Sequence, residues 1–449
     1  MLDKVVVANR GAVAARVLRA LNSLGVRSVA VYSDADADAP YLALASETFH
    51  IGAAPARESY LNQDALLEVL RVSHADGLHP GYGFLSENHR FAQRVQDAGA
   101  CFVGPSPRWI DAMGHKTRAR ELAAQHGLPV GRGTGVLLGD SQAMLRAAEQ
   151  IGYPVLVKPA AGGGGIGMIA VYKPEELAAA VERAASLAER GFANAEVYLE
   201  RLVERPRHVE IQVLGDSTGA VRHLFERDCS VQRRHQKIIE EAPAPAIARE
   251  HVERLAAQVA QVLGRIGYDN IGTVEMLMGP DGQFSFLEMN TRLQVEHGVT
   301  EEVTGVDLVA AQLRSAAGES LSEILPARIA MDGHAIQARV YAEDSKRFFP
   351  SPGPLQRFRP PRGEGIRVET GYREGQQVTA HYDPLLAKVI AHAPTRQAAI
   401  SRLVEALEAF EIQGVKNNVP ALVAILRSDE FRSGRVHTGL AAEVLARVR

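Results

Sequence analysis

Cysteine is nearly absent from this sequence of 449 residues, in which only Cys101 and Cys229 occur. Two cysteines so far apart provide no disulfide framework, which excludes the disulfide-rich secreted class and favours a reducing compartment. Long apolar runs are absent too, since none reaches the roughly 18 residues that a membrane-spanning helix needs. Residues 1–8 enter an apolar strand pattern directly and lack the charged head and cleavage site of a signal peptide. We therefore expect a cytoplasmic protein without a membrane partner.

The sequence also lacks a large excess of positive or negative charge. The chain has 50 lysines and arginines against 53 aspartates and glutamates, a formal net charge of −3. This balance gives no reason to expect a nucleic-acid partner, and any basic site must be local. The apolar fraction of 46% is ordinary for a globular protein. Because 449 residues exceed what one core accommodates, we expect two or three domains.

The first 105 residues or so alternate short apolar runs with helical patterns. They predict strands at 4–8, 28–32, 77–79 and 100–103, and helices from about 13 to 24, 60 to 72 and 87 to 98. Such a series is typical of a parallel sheet with helices on both faces. No Gly-x-Gly-x-x-Gly motif follows the first strand, which argues against a dinucleotide site.

The segment 79–88, with the sequence HPGYGFLSEN, joins a predicted strand to a predicted helix. Two glycines flank Tyr82, which indicates a turn with positive φ or a close approach to a ligand. Ser86 is a candidate N-cap for the helix. A plain strand-to-helix turn is the alternative, although ligands of open α/β sheets bind at the carboxyl ends of strands.

A glycine-rich segment, 160–168, follows a predicted buried strand that carries Lys158. Glycine N–H groups can face anionic oxygens and the lysine adds a positive charge, so this arrangement indicates a phosphate site. It is not a Walker loop, because Gly-Lys-Ser/Thr is missing. A flexible hairpin tip is the alternative, and a mobile hairpin that closes over a nucleotide satisfies both interpretations. The strand predicted at 198–203 is a candidate for adenine contacts.

The segment 288–297, with the sequence EMNTRLQVEH, concentrates polar functional groups. Residues 279–282, GPDG, predict a four-residue hairpin turn before it. If Met278 pairs with Gln283, the upstream Glu275 lies opposite Phe286.

Side chains alternate along a strand, so this register places Glu275, Glu288 and Asn290 on one face of the hairpin. Three oxygen donors on one face suit a hard divalent ion such as Mg²⁺, which usually keeps further positions for phosphates and water. A solvated polar face of an antiparallel hairpin is the alternative interpretation.

Two further segments carry polar patterns. Residues 207–214 alternate strictly, so that His208, Glu210 and Gln212 share one face of a predicted strand. Residues 227–241 are densely basic. They are either a solvated loop or a local site for an anion such as phosphate or bicarbonate.

Beyond about residue 330, short strand patterns alternate with proline- and glycine-containing turns, which predicts a third, α+β unit. The chain then divides into 1–113, 114–329 and 330–449. Arg339 is the candidate functional residue of the third unit, although an arginine on an alternating strand is most often a surface residue.

Together these stretches resemble a biotin carboxylase of the ATP-grasp superfamily, and the resemblance covers nearly the whole chain. It rests on six segments in the same order, at 79–88, 162–168, 207–212, 227–237, 288–297 and 334–339. It implies a Rossmann-like N-terminal domain, an ATP-grasp core with a glycine-rich lid at about 130–203, a C-terminal α+β domain and a homodimer.

The resemblance also implies roles for residues at matching positions. ATP would be bound by Lys116, Lys158, Gly163, Gly164, Gly165, Met168, Glu200, Arg201, Leu202, His208, Gln232, His235, Glu275, Leu277 and Glu288. Mg²⁺ or Mn²⁺ would be bound by Glu275, Glu288 and Asn290. Bicarbonate would be bound by Lys237, Arg292, Gln294 and the backbone of Val295. The catalytic set would be Glu296 as the base and Arg339 as the cation beside the biotin enolate, with Arg292 and Lys237, while Tyr82 and His235 border the biotin pocket.

Five positions depart from the family pattern. Ala12 and His115 stand where the family usually has Glu and Asp, and Pro159, Ile166 and Gln337 replace a small residue, an Arg and a Glu. None of these changes removes a residue from the chemical roles above. The change at Ile166 does remove a cation from the lid, which makes a divergent paralogue with altered ATP affinity conceivable.

No Ala/Val-Met-Lys-Met biotin-attachment motif occurs in the sequence. We therefore expect biotin on a separate carrier protein, with a carboxyltransferase as a further partner, in an acetyl-CoA or other acyl-CoA carboxylase of fatty acid biosynthesis. Two rival hypotheses remain. The protein is a divergent ATP-grasp ligase for another carboxylate, or a degenerate ATP-binding regulatory paralogue.

Overall fold

The computed structural model describes residues 1–137, 141–160, 167–192 and 194–448. The strands are β1 Lys4–Val7, β2 Arg27–Tyr32, β3 Glu47–His50, β4 Gly77–His79, β5 Cys101–Phe102, β6 Val155–Pro159, β7 Ile169–Val171, β8 Val197–Arg201, β9 Arg207–Gly215, β10 Val221–Arg233, β11 Gln236–Ala242, β12 Asn270–Met278, β13 Phe284–Asn290, β14 His334–Tyr341, β15 Gly353–Pro354, β16 Arg357–Arg359, β17 Ile366–Thr370, β18 Gln377–Val378, β19 Leu385–Ala393 and β20 Glu411–Gln413.

The α-helices cover the ends and faces of these strands. They are α1 Gly11–Ser23, α2 Gln63–Ser73, α3 His89–Asp97, α4 Pro107–Gly114, α5 Lys116–Gln125, α6 Ser141–Ile151, α7 Leu177–Phe192, α8 Arg249–Ile266, α9 His297–Thr304, α10 Leu308–Ala316, α11 Leu321–Ile324, α12 Arg396–Glu408, α13 Val419–Arg427, α14 Asp429–Arg432 and α15 Leu440–Val448. Within the described ranges, no helix combines the length and the apolar composition that crossing a bilayer would require.

The N-terminal strands form a five-stranded parallel sheet in the order β3-β2-β1-β4-β5, which confirms the predicted parallel sheet. Two helix starts differ from the prediction. The Asn62 side chain accepts a hydrogen bond from the Ala65 N–H, so α2 begins at residue 63 rather than 60. The Asn88 side chain caps α3 in the same way, and the Ser86 hydroxyl, the predicted cap, has no hydrogen-bond partner among the described residues.

An eight-stranded antiparallel sheet dominates the rest of the molecule, with the strand order β13-β12-β9-β10-β11-β14-β19-β17. The strands up to β13 lie before residue 330 in the chain and the other three lie after it, so one continuous sheet joins the second and third predicted units. The interpretation of the basic segment as a solvated loop is wrong. Residues 227–241 lie in the β10–β11 hairpin, which turns at Arg234 and His235.

The β12–β13 hairpin differs in register from the prediction. Met278 pairs with Phe284 rather than Gln283. The Gly279 N–H donates to the Gln283 carbonyl at 3.0 Å, so residues 280–282 form a three-residue turn in which Gly282 has a left-handed φ of +77°. A bulge at Leu287 then places Glu275 opposite Glu288 rather than Phe286. Directly paired residues share a face, so the predicted grouping of side chains survives the corrected register.

A three-stranded antiparallel sheet, β7-β6-β8, packs against α6 and α7 and forms the small unit that carries Lys158. Two helices, α9 and α10, follow the β12–β13 hairpin. Gly305, with a φ of +68°, ends α9, and the Asp307 side chain caps α10 by accepting from the Ala310 N–H.

The first predicted unit meets the third where Gly371, just after β17, touches the start of α1. A Cβ at Gly371 would overlap the backbone of Gly11 and Ala12, which cannot move aside as a side chain can. We expect Gly371→Ala to lower the free energy of unfolding by about 1–3 kcal/mol, measured by urea denaturation. The control is Gly264→Ala within α8, whose Cβ would meet only the Gly219 carbonyl at 3.7 Å. That control should gain about 0.5–1 kcal/mol; equal effects at both positions would contradict the close packing.

Candidate active site

A cavity of about 1000 Å³ opens between the three-stranded sheet and the eight-stranded sheet. Its walls contain every described residue to which the sequence assigned a ligand role, apart from Tyr82. They are Lys116, Lys158, Met168, Glu200, Arg201, Leu202, His208, Gln232, His235, Lys237, Glu275, Leu277, Glu288, Asn290, Arg292, Gln294, Val295, Glu296 and Arg339. The predicted glycines Gly163, Gly164 and Gly165, and the departure at Ile166, lie outside the described residues.

The Lys237 ammonium is the centre of the cavity wall. Nζ donates to Glu210 at 2.6 Å, to Glu296 at 2.7 Å and to Glu275 at 2.8 Å. Burial lowers the pKa of Lys237, but the three carboxylates outweigh this and hold it well above its ordinary value. The lysine stays charged, and three acids from three different strands or loops converge on it.

Two of these acids are strongly stabilised in their charged form. Burial raises the pKa of Glu275, but Lys237 and His208 together hold it well below the ordinary value. The pKa of Glu296 is lowered in the same way, because Lys237 and Arg339 outweigh the effect of burial. Both groups are therefore carboxylates at neutral pH.

Glu296 is held on both of its oxygens. Lys237 donates to Oε1, and Arg339 Nη2 donates to Oε2 at 2.9 Å. Arg339 in turn donates through Nε to Glu240 at 2.5 Å. Burial raises the pKa of Glu240, and the neighbouring Arg339 offsets only part of this rise. Arg339 is thus a buried cation aimed at the cavity, not the surface residue that its strand pattern favours.

Arg227, which has no exposed surface, is a structural residue that the sequence analysis did not assign. It donates to Glu210 at 2.5 Å and to Gln294 at 2.6 Å, and also to Gln212, Thr273 and Thr300. It lies in the basic segment 227–241, and that concentration of basic residues is the sequence feature that could have identified it. A fully buried guanidinium with all its donors used fixes the positions of the side chains around it.

The predicted metal ligands come together on one face. Asn290 Nδ2 donates to Glu275 Oε1 at 2.8 Å, and Glu288 lies directly opposite Glu275. Like charges in opposed positions repel, and here Lys237 and Lys116 neutralise them, with Lys116 Nζ 3.1 Å from Glu288. Two carboxylates and an amide oxygen fit a hard divalent ion, although the Asn290 oxygen now accepts from Arg292 and would have to exchange that partner.

His208 adds an imidazole beside this set. Its Nε2 lies 2.8 Å from Glu275 Oε2, and its Nδ1 lies 2.9 Å from the Gln232 amide. His208, Glu210 and Glu275 are close enough together to share an ion, but Lys237 already neutralises both carboxylates. The mixed oxygen and nitrogen set is therefore the weaker metal candidate of the two.

The opposite wall belongs to the small sheet. Lys158 Nζ donates to Glu200 at 2.8 Å and lies 5.4 Å from the centre of the Tyr198 ring, while Arg120 donates to the other Glu200 oxygen at 3.0 Å. Burial raises the pKa of Glu200, but Lys158 and Arg120 bring it below the ordinary value. Lys158 is a buried lysine across the cavity from the β12–β13 hairpin, which carries the predicted metal ligands. This arrangement suits a polyphosphate bound between the two sheets.

The 79–88 segment contributes differently from the prediction. Tyr82 lies in a neighbouring cavity of about 250 Å³, which it shares with Arg10, Tyr382 and Asp383. From the same segment, Glu87 accepts from Arg292 Nε at 2.8 Å, a contact that no sequence pattern indicated. The N-terminal unit therefore reaches the large cavity through Glu87.

Three protein-family profiles cover almost the whole chain. "Biotin carboxylase, N-terminal domain" matches residues 1–110, "Carbamoyl-phosphate synthase L chain, ATP binding domain" matches 115–324, and "Biotin carboxylase C-terminal domain" matches 337–443. A curated protein from Halalkalibacterium halodurans, "Biotin carboxylase", is 48% identical over 441 residues, which are 98% of this chain and 97% of that protein.

Solved structures are similar over 99% of this chain and 99% of their own. A biotin carboxylase from Campylobacter jejuni, in complex with β,γ-ATP, has a TM-score of 0.96 at 39% identity. The biotin carboxylase domain dimer of Hydrogenobacter thermophilus 2-oxoglutarate carboxylase, in complex with MgADP, ADP and bicarbonate, has a TM-score of 0.95 at 42% identity. These likenesses confirm the predicted ATP-grasp fold class.

Removing the central ammonium should cost stability in a pH-dependent way. In Lys237→Met, three buried carboxylates lose a shared cation, which we expect to cost about 3–5 kcal/mol near neutral pH. The depressed pKa values of Glu275 and Glu296 give stability that is present above the ordinary glutamate value, about 4.3, and is lost as the pH falls through their folded values. The difference between wild type and variant should therefore shrink below about pH 4.

Urea denaturation between pH 3 and 8 measures this difference. The control is Lys416→Met, which removes an ammonium whose side chain is 70% exposed and which contacts Asp344. Exposed ion pairs contribute little, so we expect less than about 1 kcal/mol from the control. A constant difference for Lys237→Met across the pH range would argue against the carboxylate cluster as its source.

Proposed function

The chain belongs to the biotin carboxylase family, and on this premise we propose that it is an ATP-dependent carbon–nitrogen ligase that carboxylates biotin with bicarbonate. Its cofactors are ATP and Mg²⁺ (or Mn²⁺), and biotin is the group that receives the carboxylate. The observation that supports this function best is Glu296, held between the cations Lys237 and Arg339 in the large cavity. The rival hypotheses do not account for this arrangement as directly, because neither an amine-forming ligase nor a regulatory paralogue requires it.

We assign the two walls of the cavity to ATP. Lys116, Lys158 and His208 would contact the phosphates, and Glu200, Arg201 and Leu202 would lie along the adenine. The family resemblance assigns Gly163, Gly164 and Gly165 to ATP binding as well. Glu275, Glu288 and Asn290 would hold Mg²⁺, which neutralises the phosphoryl group during transfer. The lysines on both walls supply further positive charge in a site that the lid shields from water.

Bicarbonate is a weak nucleophile towards ATP until it loses its proton. In the proposed first step, Arg292, Gln294, Lys237 and the Val295 backbone hold bicarbonate while Glu296 takes its proton. The bicarbonate oxygen then attacks the γ-phosphorus, the bond to the β-phosphate oxygen breaks, and carboxyphosphate and ADP result. The depressed pKa of Glu296 makes it a weak base in the present contacts. Transfer of Lys237 and Arg339 from Glu296 to the substrates would raise its basicity when it is needed.

The second step uses the same cavity. Carboxyphosphate breaks down to CO₂ and phosphate, the phosphate takes the proton from biotin N1, and the resulting enolate attacks CO₂. Arg339 would stabilise the negative charge on the biotin oxygen, since a buried guanidinium acts strongly in a site of low dielectric. Glu240 holds this guanidinium in place through Nε. Tyr82 and His235 would border the biotin, although Tyr82 now lines the neighbouring cavity.

The wider assembly follows the family. We propose a homodimer that receives biotin on a separate carrier protein and works with a carboxyltransferase, as a cytoplasmic component of an acetyl-CoA or other acyl-CoA carboxylase in fatty acid biosynthesis. A dimer is the form described for the H. thermophilus domain, and that protein's acceptor, 2-oxoglutarate, is not an acyl-CoA. We also propose the divisions 1–113, 114–329 with a lid at about 130–203, and 330–449, which the ranges of the three profiles support.

One assay tests the function directly: release of ADP from Mg²⁺-ATP by the full chain, with bicarbonate and free biotin each present or omitted. We expect cleavage to require bicarbonate and to accelerate with biotin. A divergent ligase would ignore both additions but respond to another carboxylate. A regulatory paralogue would bind ATP without turnover in any mixture, and either result would overturn the proposal.

Two variants separate the two chemical steps. Glu296→Gln keeps the shape but removes the base, so bicarbonate-dependent cleavage should fall by about 10²–10⁴-fold while ATP binding, measured by calorimetry, stays within about threefold. Arg339→Met should leave ATP cleavage measurable but lower the amount of carboxybiotin formed per ADP, because the enolate loses its cation. A wild-type ratio of carboxybiotin to ADP in Arg339→Met would disprove its assigned role.

A further inference from the structure

The segment Gln294–Glu296 ends the loop between β13 and α9 and lines the cavity, and two of its backbone carbonyls are held by side chains that do not line it. Gln294 O accepts from His297 Nδ1 at 2.7 Å, and Val295 O accepts from Lys388 Nζ at 2.8 Å. Both donors are fully buried. Two consecutive carbonyls with buried donors behind them leave this loop little freedom to rotate its peptide planes.

Lys388 is placed by the sheet itself. It lies on β19 directly opposite Arg339 on β14 and opposite Glu369 on β17, so the three form one row across the sheet. Paired residues point to the same face. Arg339 therefore reaches the Glu296 carboxylate while its neighbour Lys388 reaches the carbonyl of the preceding residue. One row of the sheet therefore positions both the Glu296 carboxylate and the backbone carbonyl just before it.

Glu369 holds the Lys388 ammonium in an ion pair, and Arg367 and Arg16 complete the charge balance around Glu369 and Glu301. His297, Glu301 and Glu369 lie close enough together to suggest a metal site. Lys388, Arg367 and Arg16 already neutralise the carboxylates of Glu301 and Glu369, so the cluster is a set of ion pairs. Among the described residues, Lys388 and His297 are the members of this cluster whose side chains donate hydrogen bonds to the loop at Gln294–Glu296.

His297 is a neutral donor. Burial holds the pKa of His297 well below its ordinary value, and Nε2 has no hydrogen-bond partner within the described ranges. The proton therefore resides on Nδ1, which is the atom that faces Gln294 O. The next residue, Gly298, lets α9 approach β19, because a Cβ there would collide with the end of the Ile390 side chain.

We propose that Lys388 and His297 are positioning residues of the bicarbonate site: from behind the loop, they fix the Val295 backbone and the approach of Glu296 to the substrate. This inference rests on the proposed function. It predicts a specific kinetic effect, because the two residues touch the part of the site that binds bicarbonate and lie away from the wall that binds ATP.

The test uses Lys388→Met and a matched pair at the second position, His297→Leu and His297→Asn. Methionine keeps the length of lysine without the charge, and Glu369 retains Arg367 as a partner. Asparagine places an N–H donor close to the position of Nδ1, whereas leucine has none. ADP release is measured over ranges of bicarbonate and ATP, and the thermal midpoint is recorded for each variant.

We expect the bicarbonate KM to rise about tenfold or more in Lys388→Met and His297→Leu, since each loses a buried hydrogen bond. The ATP KM should stay within about twofold, and His297→Asn should retain most of the wild-type bicarbonate KM. A merely structural role would instead lower the thermal midpoint and kcat alike and would not distinguish asparagine from leucine.

An unchanged bicarbonate KM in folded Lys388→Met and His297→Leu would overturn the inference and leave the proposed function intact. If Lys388→Met does not fold, the matched pair at His297 decides in the same way. A wild-type protein whose ADP release ignores bicarbonate would overturn both the function and the inference, so the two failures are distinguishable.

Discussion

The site depends on one constraint: three buried carboxylates share a single ammonium. Glu210, Glu275 and Glu296 come from β9, β12 and the loop before α9, and Lys237 stabilises the charged form of all three, with Arg227 beside Glu210 and Arg339 beside Glu296. Arg227 in turn donates to Glu210 and to Gln294 and fixes the positions of both side chains. Electrostatic balance therefore fixes the distances between strands that are remote in the sequence, and the cavity takes its shape from that balance.

Much of this was predictable because the relevant information is local or lies in motifs. The parallel sheet followed from alternating patterns, and β4 has the predicted bounds. The ligand residues followed from their resemblance to a family, and nearly all described ones line one cavity. The shared face of Glu275, Glu288 and Asn290 also followed from strand alternation, even though the assumed register was wrong.

The remaining features depend on geometry that the sequence does not display. The left-handed Gly282 and the bulge at Leu287 shifted the hairpin register, and both act through backbone angles. Arg227 looked like part of a solvated basic loop, because burial of a charge depends on partners from distant segments. The hydrogen bond from Lys388 to the Val295 carbonyl could not be predicted either, since Lys388 lies about 90 residues further along the chain.

The continuous eight-stranded sheet limits how this enzyme can be rearranged. Residues on both sides of position 330 pair across β11 and β14, where Glu240 lies opposite Gln337 and bonds to it. A C-terminal segment taken from a relative would therefore have to reproduce this register and the row of Arg339 and Lys388 as well. The third unit is not an exchangeable module, because half of the proposed base's surroundings belongs to it. Recombination within this chain is therefore a poor route to a changed acceptor, and the proposed separate partners would be a better one.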